Sequence, residues 1–154
     1  MAIEHPGATM KPGFREFLPP WIARQPWYLG DGVPRLTLVG AFRFEDPEGV
    51  VGIETHLVDD GSRLYQVPMT FRGAPLESPG AEAALISESE HSVLGTRWIY
   101  DATVDPVWRL RILDLVESAG IVVSERAAGS GTAKAIGRRI GPHPLDGFAR
   151  AWPH

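Results

Sequence analysis

The residues best placed for acid–base chemistry are Glu54 and His56, which stand two apart in a stretch of alternating polar and apolar residues. Because alternate residues of a strand point to the same face, the carboxylate and the imidazole should be neighbours. A carboxylate that orients an imidazole is a general-base arrangement. A polar pair on the solvent face of an antiparallel sheet explains the pattern more simply, since no nucleophile accompanies it.

A second polar cluster is Ser87–Ser92, which combines hydroxyls, carboxylates and the imidazole of His91. Such side chains can hydrogen-bond a sugar or a phosphate-bearing ligand. An alternating polar strand followed by a turn accounts for them equally well. With Glu54 and His56, His91 forms the polar set that a small enzyme or a small-ligand-binding domain would use in a concave sheet.

Metal and cofactor chemistry has no recognisable motif in the chain. There is no cysteine, and none of the five histidines forms a metal-type pair such as H-E-x-x-H. The phosphate-binding loop of nucleotide-dependent enzymes is also absent. We therefore expect no disulfide, no metal site and no cofactor.

The elements that position these residues begin with a helical segment. One apolar stripe at helical spacing consists of Phe14, Phe17, Leu18 and Trp21. The pair Pro19-Pro20 interrupts this stripe, and a residue before proline avoids the helical region. We therefore predict two short helical pieces that meet at an angle.

A β-rich region follows, in which short turn sequences separate alternating runs and predict antiparallel neighbours. Pro68 stands inside the third run and cannot donate a hydrogen bond, so its position should be unpaired, bulged or at an edge. The predicted strands are residues 35–45, 50–58, 64–71, 83–89 and 97–102. The apolar residues expected to share one face of the first strand are Leu36, Leu38, Phe42 and Phe44.

The clearest helix opens at Asp105-Pro106, with Asp105 as the N-cap and Pro106 at the first helical position. Gly120 should end this helix in the left-handed conformation. Helix, antiparallel meander and helix make an α+β fold. We expect a curved antiparallel sheet of about five strands, with the N-terminal and C-terminal helices packed on one face.

The net charge of −4 is unevenly distributed. Residues 1–125 hold 10 basic and 18 acidic residues, whereas residues 126–154 hold five basic residues and one acid. We therefore predict a folded domain over residues 1–125 and a basic Gly/Pro-rich tail over residues 126–154. The acidic body argues against a nucleic-acid partner. The chain has no apolar run near the ~20 residues that span a bilayer and no secretory signal, which indicates a cytoplasmic protein with no membrane partner.

Three ordered stretches carry a resemblance: Trp21–Gly30, Tyr65–Met69 and Tyr100–Pro106. They are similar, in this order and spacing, to the W-L-x-x-Q-R-W, Y-x-L-P-L and Y-D-A-x-x-D-P patterns of the N-terminal cap domain of bacterial maltokinases. The similarity extends over residues 14–119. Pro26 stands where that family has arginine, and Asp31 stands where it usually has a basic residue.

The resemblance implies a cystatin-like fold in a module that is not credited with the chemistry of the kinase. Maltokinases continue into an ATP-binding lobe and a catalytic loop, and the residues after Ala119 contain neither. The resemblance therefore predicts a non-catalytic accessory or regulatory module linked to trehalose, maltose or α-glucan metabolism. Its partner would be a maltokinase, a trehalose synthase, another glucan-processing enzyme or a glucan-type ligand. A homo-oligomer formed through the exposed sheet face is a third hypothesis.

The candidate surface for this partner or ligand combines aromatic, charged and imidazole side chains. Its members are Trp27, Tyr28, Glu54, His56, His91, Arg97, Trp98, Tyr100 and Asp101.

Overall fold

The computed structural model of the chain describes residues 7–118, 120–123, 131–138, 141–142 and 149–153. The strands are β1 (Met10–Lys11), β2 (Thr37–Phe44), β3 (Gly52–Asp59), β4 (Arg63–Arg72), β5 (Leu85–His91), β6 (Gly95–Asp101), β7 (Ile121–Val123), β8 (Gly131–Thr132), β9 (Lys134–Ile136) and β10 (Ala151–Pro153). The α-helices are α1 (Phe14–Ala23), α2 (Ala81–Ala84) and α3 (Pro106–Glu117), and a 3-10 turn, Ala102–Val104, precedes α3.

The fold is built on a curled sheet in the order β1-β5-β6-β4-β3-β2-β8. Neighbouring strands are antiparallel, except that β8 runs parallel to β2. The long strands β2 to β6 form the predicted antiparallel sheet, and the α+β fold class is confirmed. The short strands raise the strand count above the predicted five.

One edge of β4 changes partner along its length. Residues 63–65 pair with β10, and Met69–Arg72 pairs with β6. Pro68 lies in the gap between these two pairings and faces Thr55 of β3 on its other side. Pro68 therefore lies at a locally open edge of β4, which confirms the edge alternative among the three predicted positions.

The first helix, α1, is continuous across both prolines, so the prediction of two helical pieces is wrong. Pro19 and Pro20 lie inside it and remove two backbone donors. The carbonyl groups that lose these donors belong to Arg15 and Glu16, which are exposed to solvent. Water can therefore replace the lost hydrogen bonds, while the buried residues of the opposite side hold the helix on the sheet.

A β-bulge between Leu38 and Gly40 corrects the predicted phase of β2. Leu38 packs against the cluster under α1, whereas Phe42 and Phe44 belong to the cluster under α3. The inserted residue reverses the alternation of all residues that follow it. The four apolar residues of the predicted strand, Leu36, Leu38, Phe42 and Phe44, therefore lie on both faces of the sheet rather than on one.

The two long helices cover opposite faces of the sheet, which corrects the expectation that both pack on one face. The α1 face contains Val58 of β3, and the α3 face contains Ile53 of the same strand. These two residues are five apart, so their side chains point in opposite directions. Both are buried, because the central strands carry apolar residues on both sides and each side needs a cover.

Two boundaries differ from the prediction. The segment Ala81–Ala84 is a short helix rather than the start of a strand, as suits a run of strong helix formers. The helix α3 ends at Glu117, with Ser118 as a right-handed C-cap, so the prediction that the helix extends to Gly120 is wrong. The amide of Gly120 donates to the carbonyl of Leu115 at 3.0 Å, which satisfies one of the terminal carbonyls of the helix.

Asp105 is the N-cap of α3, as predicted, and it also connects that helix to the sheet. Its carboxylate accepts hydrogen bonds from the Val107 amide at 3.0 Å, the Thr70 hydroxyl at 2.8 Å and the Arg72 guanidinium at 2.7 and 2.8 Å. Burial raises the pKa of Asp105, but the bonds from Arg72, Thr70 and Val107 outweigh it and hold the pKa below its ordinary value.

Candidate functional site

The structure places the side chains of Glu54 and His56 together on the α1 face, as the alternation of β3 predicts. His56 Nε2 lies 2.8 Å from Glu54 Oε1, and Arg43 Nη1 lies 3.6 Å from Glu54 Oε2. Burial raises the pKa of Glu54, but the hydrogen bond with His56 and the charges of His56 and Arg43 bring it below its ordinary value. Glu54 is therefore an ionised partner of its neighbours.

The imidazole of His56 is enclosed by protein. Its side chain is only 5% exposed, and the ring of Phe14 meets it edge-on at 4.8 Å between centroids. Nε2 is taken by Glu54, and Nδ1 is buried with no hydrogen-bond partner in the part of the chain that the structure describes. Neither ring nitrogen is therefore accessible to a substrate in solution. A general base must lie within hydrogen-bond reach of the proton that it removes, and His56 does not meet this requirement here.

Beside Phe14 lies a groove between α1, the segment that enters β2, and the sheet. Its volume is about 270 Å³. Its lining is mainly apolar, with two arginines, and consists of Phe14, Arg15, Leu18, Pro19, Pro34, Arg35, Leu36, Leu38 and Val58. The two arginines are exposed, so positive charge lies next to an apolar surface. None of these side chains accepts a hydrogen bond.

Trp27 and Tyr28 follow α1 and surround Tyr65 of the α1 face. The ring centroids of Trp27 and Tyr28 lie 5.9 and 5.8 Å from that of Tyr65, and Trp27 also lies 5.7 Å from Trp21. The pKa of Tyr28 is raised, mainly by burial and then by nearby charges. Both aromatic residues are half-buried and pack against the core cluster under α1.

Asp101, at the end of β6, binds an arginine from the C-terminal part of the chain. Arg150 Nη2 lies 2.7 and 2.9 Å from the two carboxylate oxygens of Asp101 and 3.0 Å from the hydroxyl of Thr103. The same guanidinium lies over the ring of Trp27, 4.9 Å from its centroid. We call Trp27, Asp101 and Thr103 the arginine site.

The remaining predicted residues lie elsewhere and have local partners. His91 Nδ1 accepts from the amides of Val93 and Leu94 in the β5–β6 turn, and Arg97 donates to the Leu94 carbonyl at 2.7 Å. Three strand steps separate β5 from β3, roughly 14 Å, so His91 is not brought to the Glu54–His56 pair.

Trp98 and Tyr100 pack in a third cluster, on the face of β6 opposite the α1 face. The Tyr100 hydroxyl accepts from the Leu76 amide at 2.9 Å. The nine candidate residues therefore form several separate groups and not one site. The sequence alone did not reveal the groove, because its lining residues come from separate segments. It did not reveal Arg150 either, because no short motif connects this residue with Asp101.

Among the described residues, no group of three or more His, Asp or Glu side chains is arranged to hold a metal ion. No helix in the described ranges has both the length and the apolar character that crossing a membrane requires.

The comparisons with known proteins identify a family. The family model described as the maltokinase N-terminal cap domain matches residues 21–105, more than half of the chain. Trp21, where the first motif begins, and Asp105, the buried N-cap of α3, stand at the two ends of the match. Neither the curated proteins nor the solved structures contain a match to the chain. The chain therefore belongs to the maltokinase N-terminal cap domain family.

Proposed function

We propose that this cap domain acts by binding a protein partner and does not catalyse a reaction. The observation that carries the proposal is the enclosure of His56, whose imidazole is 5% exposed and covered by Phe14. The chain's best acid–base pair is thereby used inside the fold, where Nε2 of the imidazole and Oε1 of Glu54 form a hydrogen bond. His91, which the small-enzyme hypothesis would add to this pair, caps a turn three strands away.

The groove beside α1 is the surface that best suits a protein partner. An apolar lining of Phe14, Leu18 and neighbouring residues offers burial to apolar side chains. Arg15 and Arg35 add two exposed positive charges to its lining, on a chain whose net charge is −4. Electrostatic complementarity therefore favours a partner segment that combines apolar side chains with carboxylates.

The same lining argues against a glucan in the groove. Sugar hydroxyl groups need both donors and acceptors, and the guanidinium groups of Arg15 and Arg35 are donors only. The aromatic side chain in the lining is also engaged, since the Arg15 guanidinium lies over the Phe14 ring at 5.2 Å and His56 contacts the same ring. We therefore favour a protein partner over the glucan-type ligand.

The family suggests which proteins to test. Because a maltokinase cap belongs to maltose-phosphorylating enzymes, we propose that the partner is a maltokinase, a trehalose synthase or another glucan-processing enzyme from the same organism. This part of the proposal rests on the family alone, since membership in a fold family does not determine function.

The experiment is calorimetric titration of the chain with each purified enzyme. We expect one of them to bind, and the double variant Arg15→Glu, Arg35→Glu to bind about tenfold more weakly, because two favourable charge contacts become repulsive. The matched control is Arg24→Glu, an exposed arginine outside the groove lining, which should bind like the wild type.

Three outcomes would reject the proposal. The first is a failure of all three enzymes to bind, and the second is an equal loss of affinity in the Arg24 control. The third is a shift of the melting temperature with maltose or glycogen that the Arg15→Glu, Arg35→Glu variant abolishes, since this would assign the groove to a sugar.

A further inference from the structure

We infer that the cap contains a second binding surface, a receptor for an extended protein segment that carries an arginine. It consists of the arginine site and the adjoining edge of β4, residues 63–66. In this structure, residues 149–153 of the chain itself occupy it. The inference goes beyond the proposed function, because it concerns the β4 edge and does not depend on the groove.

The first observation is the pairing of the β4 edge. Without β10, residues 63–66 would leave a stretch of β4 unpaired in the sheet, since β6 pairs only with Met69–Arg72. The bound segment adds a strand there, and Gln66 fixes it by donating from its amide to the Arg150 carbonyl at 2.8 Å and from its side chain to the Ala149 carbonyl. Addition of a strand to an open edge is a common mode of peptide recognition, in which the backbone provides affinity.

The second observation is the set of contacts that surround the Arg150 guanidinium. Asp101 is a largely buried carboxylate, with its side chain 12% exposed, and it receives Arg150 Nη2 at 2.7 and 2.9 Å. Trp27 provides the aromatic face on which the guanidinium lies, and Thr103 accepts a further hydrogen bond from it. Such a carboxylate needs a cation, and a planar guanidinium fits an aromatic face better than an ammonium group does.

The third observation is where the receptor and its bound segment lie in the sequence. Every member of the receptor, from Trp27 through the β4 edge to Asp101 and Thr103, lies within residues 21–105 that match the cap family. The bound segment, residues 149–153, lies outside that match. The receptor therefore belongs to the cap itself, and its occupant is a separate segment that a partner's arginine-bearing strand can replace.

The test uses the full chain and a fluorescein-labelled peptide of residues 147–154 as the probe. In the wild type the site is occupied, so the peptide should bind weakly. In the variant Arg150→Ala the chain's own segment loses its guanidinium contacts, and the peptide should bind at least about tenfold more tightly. A peptide with alanine in place of its arginine should lose about 10- to 100-fold in affinity for this variant, and one with lysine should lose less.

A second receptor variant distinguishes binding through the arginine site from nonspecific binding of the peptide to the β4 edge. Adding Asp101→Asn to Arg150→Ala should weaken binding of the arginine peptide to the level of the alanine peptide. Equal affinity of the arginine and alanine peptides, or equal affinity of the wild type and Arg150→Ala, would overturn the inference.

A measurement on the wild type does not depend on how well the variants fold. In the ¹⁵N-labelled chain, excess unlabelled arginine peptide should shift the backbone amide resonances of Arg150 and Ala151 as the chain's own segment is displaced, and the alanine peptide should not. Absence of this difference would also overturn the inference.

Discussion

Replacement of Asp105 by alanine is the perturbation whose effect can be worked out most fully. The carboxylate is fully buried and serves three donors: the amide of Val107, the hydroxyl of Thr70 and the guanidinium of Arg72. Alanine would remove the N-cap of α3 and the contact between that helix and β4 in one step. The matched control is Asp114→Ala, which removes an exposed carboxylate from the same helix.

The expected loss follows from two contributions. Loss of an N-cap costs about 1 kcal/mol. Removal of one partner from a buried ion pair costs about 3–5 kcal/mol, and the lower end applies because the Arg72 side chain is 23% exposed and can be partly hydrated. The total is about 4 kcal/mol, which corresponds to a fall in melting temperature of roughly 8–16 °C for a chain of this size. Asp114 is 62% exposed in an ion pair with Arg111, so its loss should cost about 0.5 kcal/mol or less.

The assay is urea unfolding followed by tryptophan fluorescence, with the free energy of unfolding compared at pH 7 and at pH 3. The pKa of Asp105 is lower in the folded state than in the unfolded state, where it is about 3.9. The contribution of this carboxylate to the free energy of unfolding is therefore fully present above about pH 3.9 and is lost as the pH falls through the folded-state pKa. The difference between wild type and Asp105→Ala should therefore shrink in acid. A loss below about 1 kcal/mol at pH 7, or a loss equal to that of Asp114→Ala, would refute the reasoning.

Three further predictions concern other parts of the fold. Asp46→Ala should lower the free energy of unfolding by about 2 kcal/mol in the same urea assay, because this buried carboxylate accepts three backbone amides of the β2–β3 turn; an unchanged urea midpoint would contradict this. Gly137 lies against the backbone of Leu115, so Gly137→Ala should lower the melting temperature by several degrees in a calorimetric scan, because the added Cβ would collide with that backbone; an unchanged melting temperature would contradict this close approach. Glu54→Gln should lower the free energy of unfolding at neutral pH, where the ionised carboxylate, with its lowered pKa, is hydrogen-bonded to His56. The difference in free energy between wild type and variant should decrease as the pH falls below about 4, and a pH-independent difference would argue against the pairing.

Local patterns were sufficient for the elements whose positions depend on neighbouring residues. The Asp105-Pro106 pair predicts the start of α3 because an N-cap acts within its own first turn. The alternation of β3 predicts the contact between Glu54 and His56 for a similar reason, since residues two apart in a strand share a face.

Features that depend on tertiary contacts could not be predicted in this way. The bulge after Leu38 has no signal in the alternation of β2, yet it moves the following residues to the other face. The continuity of α1 across Pro19 and Pro20 depends on burial of one side of the helix, which tertiary packing supplies.

The candidate site shows the same division. Asp101 could be selected from its motif, but its partner Arg150 is 49 positions away and became visible only in the structure. The groove likewise combines α1, the segment before β2, and β3, and no short motif contains all of its members. A polar residue can therefore be named as a candidate from sequence, whereas its partners must be read from the fold.

Hydrogen–deuterium exchange of the cap, measured with and without the partner enzyme that binds it, tests the central claim most directly. The account predicts slower exchange in α1 and in residues 34–38, which line the groove, and unchanged exchange in the β5–β6 turn around His91. Protection confined to the β5–β6 turn, with α1 and residues 34–38 unchanged, would contradict the claim that this cap domain binds its partner through the groove.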